Sequence, residues 1–140
     1  MSAEGSADPP GYGAGLAVGL RATVQVVVSE ADTSAAMGSG DVPVLGTPRL
    51  LALAEAASVA AVAQYLTAGF TSVGTAVNME HHRASPLGSQ VLVEAELTTV
   101  AGTRLSFSFI ARDPEERVIG AGTHERVVVE RARFLARAGS

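Results

Sequence analysis

The sequence predicts an α+β fold: an antiparallel β-sheet of about five strands wrapped around one long central α-helix. Three observations predict it. Residues 50–63 are apolar except for Glu55 and Ser58, a stripe too wide for a helix lying on a surface. One segment before that run and several after it follow the period-two pattern of strands. The later segments are joined by short Gly or Pro turns, as in hairpins.

The elements follow in order. Residues 1–13 are small, polar, Gly and Pro, and read as a disordered tail ahead of a single domain at 14–140. GAGLAVG follows no strand and lacks the glycine spacing of a dinucleotide loop. Residues 20–30 are Val-rich and alternating, a strand. Residues 31–46 form a long irregular connection, of the length used for lids and site walls. Thr47 suits the N-cap of the helix and Pro48 its first turn. The helix runs to about Leu66, with Gly69 just beyond, a length of about 28 Å. Strands follow at 71–83, 90–100, 103–112 and 117–130. Val91, Val93, Ala95 and Leu97 share one face of the second of these; Leu105, Phe107, Phe109 and Ala111 point inward from the third. Such a sheet cannot enclose a helix completely, and its edge and leftover apolar surface invite a second copy of the chain.

Composition removes several function classes. There is no Cys, so thiol catalysis, thiolate metal sites and disulfides are out. All ten basic residues are Arg and they are scattered, with a net charge of −4. No basic stripe for nucleic acid or a membrane surface results. No uninterrupted apolar run reaches the length of a membrane span. The amino terminus is acidic before a weakly apolar, Gly-broken stretch, a poor secretion signal. A cytoplasmic protein is the expectation. Three His without Cys and without HExxH predict no metal site, and the absence of GxSxG excludes a nucleophile-elbow hydrolase.

The candidate residues are few. Burying an ionised carboxylate is costly unless it is paired. Glu55 therefore either reaches solvent or an Arg, or serves as a general base or nucleophile in a cleft. Thr47 reads locally as a cap; it lies about 12 Å from Glu55 along the helix and about 80° around it, so the two flank one groove without bonding directly. Strand phase puts His81 with Val73, Thr75, Val77 and Met79 on the inner face, and His82 with Gly74, Ala76, Asn78 and Glu80 on the outer. His124 lies in phase with Arg126 and reads as packing.

These residues carry a resemblance. The order strand, loop, TP-started helix with an inner Glu, then SVGTAVNMEHHRASPLG, GTRLSFSF and IGAGTHERVVV, resembles the hot-dog-fold thioesterases over about residues 20–135. It is most similar to the fluoroacetyl-CoA thioesterase-like branch. The resemblance implies a catalytic set of Thr47, Glu55 and His81, with Gly74 as the glycine that lets the substrate approach the backbone. It implies an acyl-CoA substrate, no metal, no cofactor beyond that CoA, and a site in the cleft of a homodimer. The branch's aromatic lid gate has no counterpart, because residues 31–46 contain no aromatic. The expected activity is thus hydrolysis of a short or medium acyl-CoA thioester without fluoroacetyl selectivity. The alternatives are a non-catalytic acyl or small-ligand binding dimer and an acyl-CoA hydratase; the hydratase pattern of an acid with a nearby His in one loop is not found.

Overall fold

A computed structural model of the chain describes residue 13 and residues 15–139. All but the last residue of the tail expected at 1–13 lies outside them. The elements are β1 (Arg21–Val27), a 3-10 turn at Glu30–Asp32, α1 (Ser34–Met37), α2 (Thr47–Val62) prolonged by a 3-10 turn at Ala63–Tyr65, β2 (Phe70–His81), β3 (Gln90–Ala101), β4 (Arg104–Arg112), β5 (Val118–Glu130) and α3 (Arg131–Ala138). All sheet pairings are antiparallel, in the order β1-β3-β4-β5-β2. This is the five-stranded sheet with a long central helix that the residue pattern predicts.

The helix packs along one face of the sheet. Leu50, Leu53, Ala54 and Ala57 meet Val91, Val93, Phe109 and Ile119; farther along, Ala61 and Val62 meet Leu97, Leu105, Phe107 and Val128. The alanines bring the helix close to the sheet. Its opposite side is open, with Ala56, Val59 and Ala60 exposed, so the all-round apolar character does not reflect enclosure within one chain. The expected loop at 31–46 is partly helical and tightly tied. Thr33 bridges Leu45, and Val44 bridges Pro86. The Arg49 Nε donates to Asp32 at 2.8 Å, fastening the loop to the start of α2. Gly46, not Thr47, is the N-cap; Thr47 is the first helical residue. Helix α3 was not anticipated by the alternation pattern, which stops at residue 130.

Strand β2 departs from simple alternation. Its register against β5 shifts between Gly74 and Ala76, leaving Thr75 as the bulged residue. Cross-strand partners share a face. Gly74 lies opposite Arg126, Val77 opposite His124 and His81 opposite Gly120. Gly74 therefore belongs to the helix side together with Val77, Met79 and His81. Strict alternation put Gly74 on the outer face and Val73 and Thr75 on the inner one; the extra residue reverses those three and leaves His81 inward.

Candidate functional site

Two groups of polar side chains gather on the helix side of the sheet. The first sits where α2 begins. Its start is fixed by the tied loop, and the Leu45 N–H donates to the Ser85 carbonyl at 2.8 Å, joining that loop to the segment after β2. The backbone N–H groups of His82 and Arg83 both donate to the Ile119 carbonyl, at 2.7 and 3.1 Å, which anchors the end of β2. Between these anchors the Thr47 Oγ1 and His81 Nδ1 are 2.8 Å apart, a hydrogen bond. The Thr47 hydroxyl thus serves His81 rather than the helix backbone. The His81 Nε2 is buried and has no hydrogen-bond partner. Burial holds the His81 pKa below its ordinary value; the Arg83 backbone partly offsets this, and the His82 ring adds to the lowering. His82 points outward, exposed, with its Nε2 3.3 Å from Glu80.

The second group sits at mid-helix. The Glu55 Oε2 lies 3.6 Å from the His124 Nε2 and 3.7 Å from the Arg126 Nη1. Glu55 is 40% exposed while His124 is 1% exposed, so the carboxylate stands at the mouth of a buried polar cluster. Arg126 is anchored by its Nε to the Ser72 Oγ at 2.7 Å and by its Nη2 to the Ser72 carbonyl at 2.8 Å. Gly74 closes the cluster. A Cβ added there would lie 2.9 Å from the Glu55 Oε2 and 3.2 Å from the His124 Nε2. Only a residue without a side chain leaves the carboxylate in place against that backbone. Burial, then the nearby Arg126 charge, holds the His124 pKa low, with Glu55 opposing. Burial likewise lowers the Arg126 pKa against the pull of Glu55.

The structure thus brings Thr47 to His81 and Glu55 to Gly74. Among the described residues no hydrogen bond or ion pair joins the two groups. Glu55 answers to both sequence alternatives: it reaches solvent and faces an Arg, yet it does so at a glycine-lined site. Arg126 and the close role of His124 escaped the sequence reading. For His124 the one signal was phase: in GTHER it alternates with Arg126 and, two residues on, with Val128, which is core. A groove of about 310 Å³ adjoins the second group, lined by Val59, Val62, Leu66, Phe70 and Ser72 among others. No three His, Asp or Glu side chains among the described residues gather as a metal site, and no described helix is long and apolar enough to cross a membrane.

Comparisons with known proteins agree with this fold. Residues 28–132 match the profile of the fluoroacetyl-CoA-specific thioesterase family, FlK. The fluoroacetyl-CoA thioesterase of Streptantibioticus cattleyicolor is 44% identical over 94 residues, which is 67% of either chain. Among solved structures, the fluoroacetyl-CoA thioesterase FlK superposes with a TM-score of 0.82 at 38% identity, covering 89% of this chain and 96% of that one. A variant of FlK in complex with acetyl-CoA gives a TM-score of 0.82 at 36% identity, covering 88% and 96%. A hot-dog-like protein from Thermanaerovibrio acidaminovorans gives 0.78 at 26% identity, covering 86% and 89%.

Proposed function

Since the chain belongs to the fluoroacetyl-CoA-specific thioesterase family, we propose that it hydrolyses the thioester of a short or medium acyl-CoA, using Thr47, Glu55 and His81, with Gly74 as the substrate-approach position. The observation that carries this reading is the Glu55 carboxylate, half-exposed and set against the bare backbone of Gly74. A carboxylate so placed attacks the thioester carbon or takes the proton from a water that does. Either route expels the CoA thiolate; in the first, water then cleaves the acyl–Glu55 anhydride. In both, the proton that the water gives up passes by way of the His81 imidazole to the thiolate, leaving Glu55 ionised and the ring neutral as they began. The products are the free acid and the CoA thiol. The Thr47 hydroxyl fixes the orientation of His81, and a backbone N–H near Gly74 meets the developing oxyanion. An acyl chain directed along α2 meets Val59 one turn beyond Glu55 and then the adjoining groove.

One chain does not complete this set. Gly74 and His81 are seven residues apart on β2, roughly 20 Å or more along the strand. Yet β2 is an edge strand of the sheet, and Gly74–Asn78 are exposed without interruption. A second copy pairing antiparallel along this edge, about a two-fold axis near Val77 and Asn78, sets the partner's His81 opposite Gly74. Each site of the homodimer then takes Glu55 and Gly74 from one chain and Thr47 and His81 from the other. A cytoplasmic setting is part of this reading, and a chain without Cys fits such a reducing interior.

The test is a thiol-release assay across a panel of acyl-CoA thioesters, with the Glu55→Ala variant as control. Thiol release that is lost in the variant is the expected result. Binding of acyl-CoA without turnover would replace this reading with a carrier or sensor. Water addition to an enoyl-CoA without thiol release would replace it with a hydratase.

A further inference from the structure

Ser58 and His124 are buried polar residues to which the reaction above gives no task. Ser58 lies on α2, three residues beyond Glu55. Its hydroxyl is 2.9 Å from the Ala54 carbonyl and must donate there, because a carbonyl only accepts. Its oxygen is left as the acceptor for the His124 Nδ1, 3.2 Å away. Nδ1 therefore carries the ring proton, and in the neutral ring Nε2 is a bare acceptor. Burial and the charge of Arg126 both favour that neutral ring.

Nε2 faces the Arg126 Nη1 at 3.5 Å and the Glu55 Oε2 at 3.6 Å. A bare nitrogen repels a carboxylate and attracts a guanidinium. The other Arg126 nitrogens are taken by Ser72, so Nη1 is the group left to turn toward His124 and Glu55, and it carries one N–H for each. With the proton on Nε2 instead, two donors would face one another and Nη1 would be pushed aside.

We propose that Ser58 and His124 are positioning residues for Glu55: Ser58 fixes the ring with its proton on Nδ1, and the bare Nε2 draws the Arg126 Nη1 into the line that holds the carboxylate at Gly74. A histidine present only for packing needs neither the tautomer nor the serine. The consequence for turnover rests on the thioesterase reading; the tautomer does not.

Two measurements on the full chain decide it. Long-range proton–nitrogen NMR of protein labelled in its histidine rings should show the His124 Nδ1 protonated and Nε2 bare at neutral pH. A proton on Nε2 overturns the proposal, whether or not any acyl-CoA is turned over. In the thiol-release assay, Ser58→Ala should lower kcat about tenfold with KM within about twofold, and Ser58→Thr, which keeps the hydroxyl, should recover most of the loss. A folded Ser58→Ala enzyme with unchanged kcat, or one impaired through KM alone, overturns it. Should Ser58→Ala fail to fold, the tautomer of the unaltered protein still decides. Should the unaltered protein release no thiol from any acyl-CoA, the functional reading fails while the tautomer result stands.

Discussion

At the scale of single residues, Gly74 is the most constrained position of the candidate site. The neighbour nearest to an added Cβ is the end of the Glu55 side chain, which can swing away, rather than rigid backbone. Gly74→Ala is therefore expected to keep its melting temperature within a few degrees while kcat falls by about tenfold or more, the scale of a displaced reacting group; calorimetry and thiol release together check this. The two neighbouring histidines separate as cleanly. His81→Ala should lower kcat by about 10² or more, as for loss of a general acid–base, and His82→Ala by less than about threefold. The reverse result would mean that the end of β2 carries a further irregularity. His81 and His124 both have pKa values lowered by burial. The unfolded chain then binds more protons than the folded one below the ordinary value of 6.5, so stability is whole above that pH and is lost as pH falls toward the folded values. Melting temperature should decline from about pH 6.5 to pH 5, ahead of the window below 3.8 in which Asp32 and Asp113 lose their contribution. A flat profile between pH 7 and 5 would contradict this. Glu55 was legible from sequence because it is the one acid in an apolar run. Arg126 was not, because a charged residue on a strand reads as solvent-facing until its hydrogen bonds to Ser72 are seen.

At the scale of elements, strand β4 and the part of β3 up to Leu97 could be read directly, since there the inner and outer faces alternate without a break; beyond Leu97 the register of β3 shifts. Strand β2 could not. The bulge at Thr75 leaves no mark in composition, as Thr is at home in any strand, and it alone decides that Gly74 rather than Val73 meets Glu55. The helical turns of the connection expected at 31–46 were hidden by a Gly, Ser and Ala composition that favours loops, and were fixed instead by long-range bonds such as Arg49 to Asp32. That segment stands beside the Thr47 and His81 pair and carries no aromatic side chain. It offers no large, rigid apolar face to sort a fluorinated acyl group from an unfluorinated one. Competition between fluoroacetyl-CoA and acetyl-CoA should thus give a ratio of kcat/KM well below a thousandfold. A ratio of that size, about 4 kcal/mol in transition-state binding, would place selectivity elsewhere, with Arg126 and Gly74 the first positions to substitute.

At the scale of the whole molecule, the order of elements and the apolar helix gave the fold its outline from sequence, whereas the proposed division of the candidate site between chains rests on distances no sequence states. Thr47 and His81 touch, Glu55 and Gly74 touch, and the length of β2 keeps the pairs apart. Antiparallel pairing of β2 with its copy would close both gaps at once and cover the exposed Val77. The first consequence is particle size: light scattering should give about 28 kDa or a multiple of it from the 14.2 kDa chain, and 14 kDa particles at micromolar concentration would sink the arrangement. The second is complementation. Glu55→Ala and His81→Ala should each be nearly inactive as pure proteins. In a heterodimer of the two, one site loses both groups, but the other takes Glu55 from the His81→Ala chain and His81 from the Glu55→Ala chain and is intact. Random reassortment at equal concentrations makes about half the dimers mixed, so about a quarter of the unaltered thiol-release rate should return. A site built within one chain gives no recovery on mixing, because every chain present lacks one of its own groups. Absence of recovery in a sample shown by mass spectrometry to contain the mixed dimer would therefore return Glu55 and His81 to the same chain.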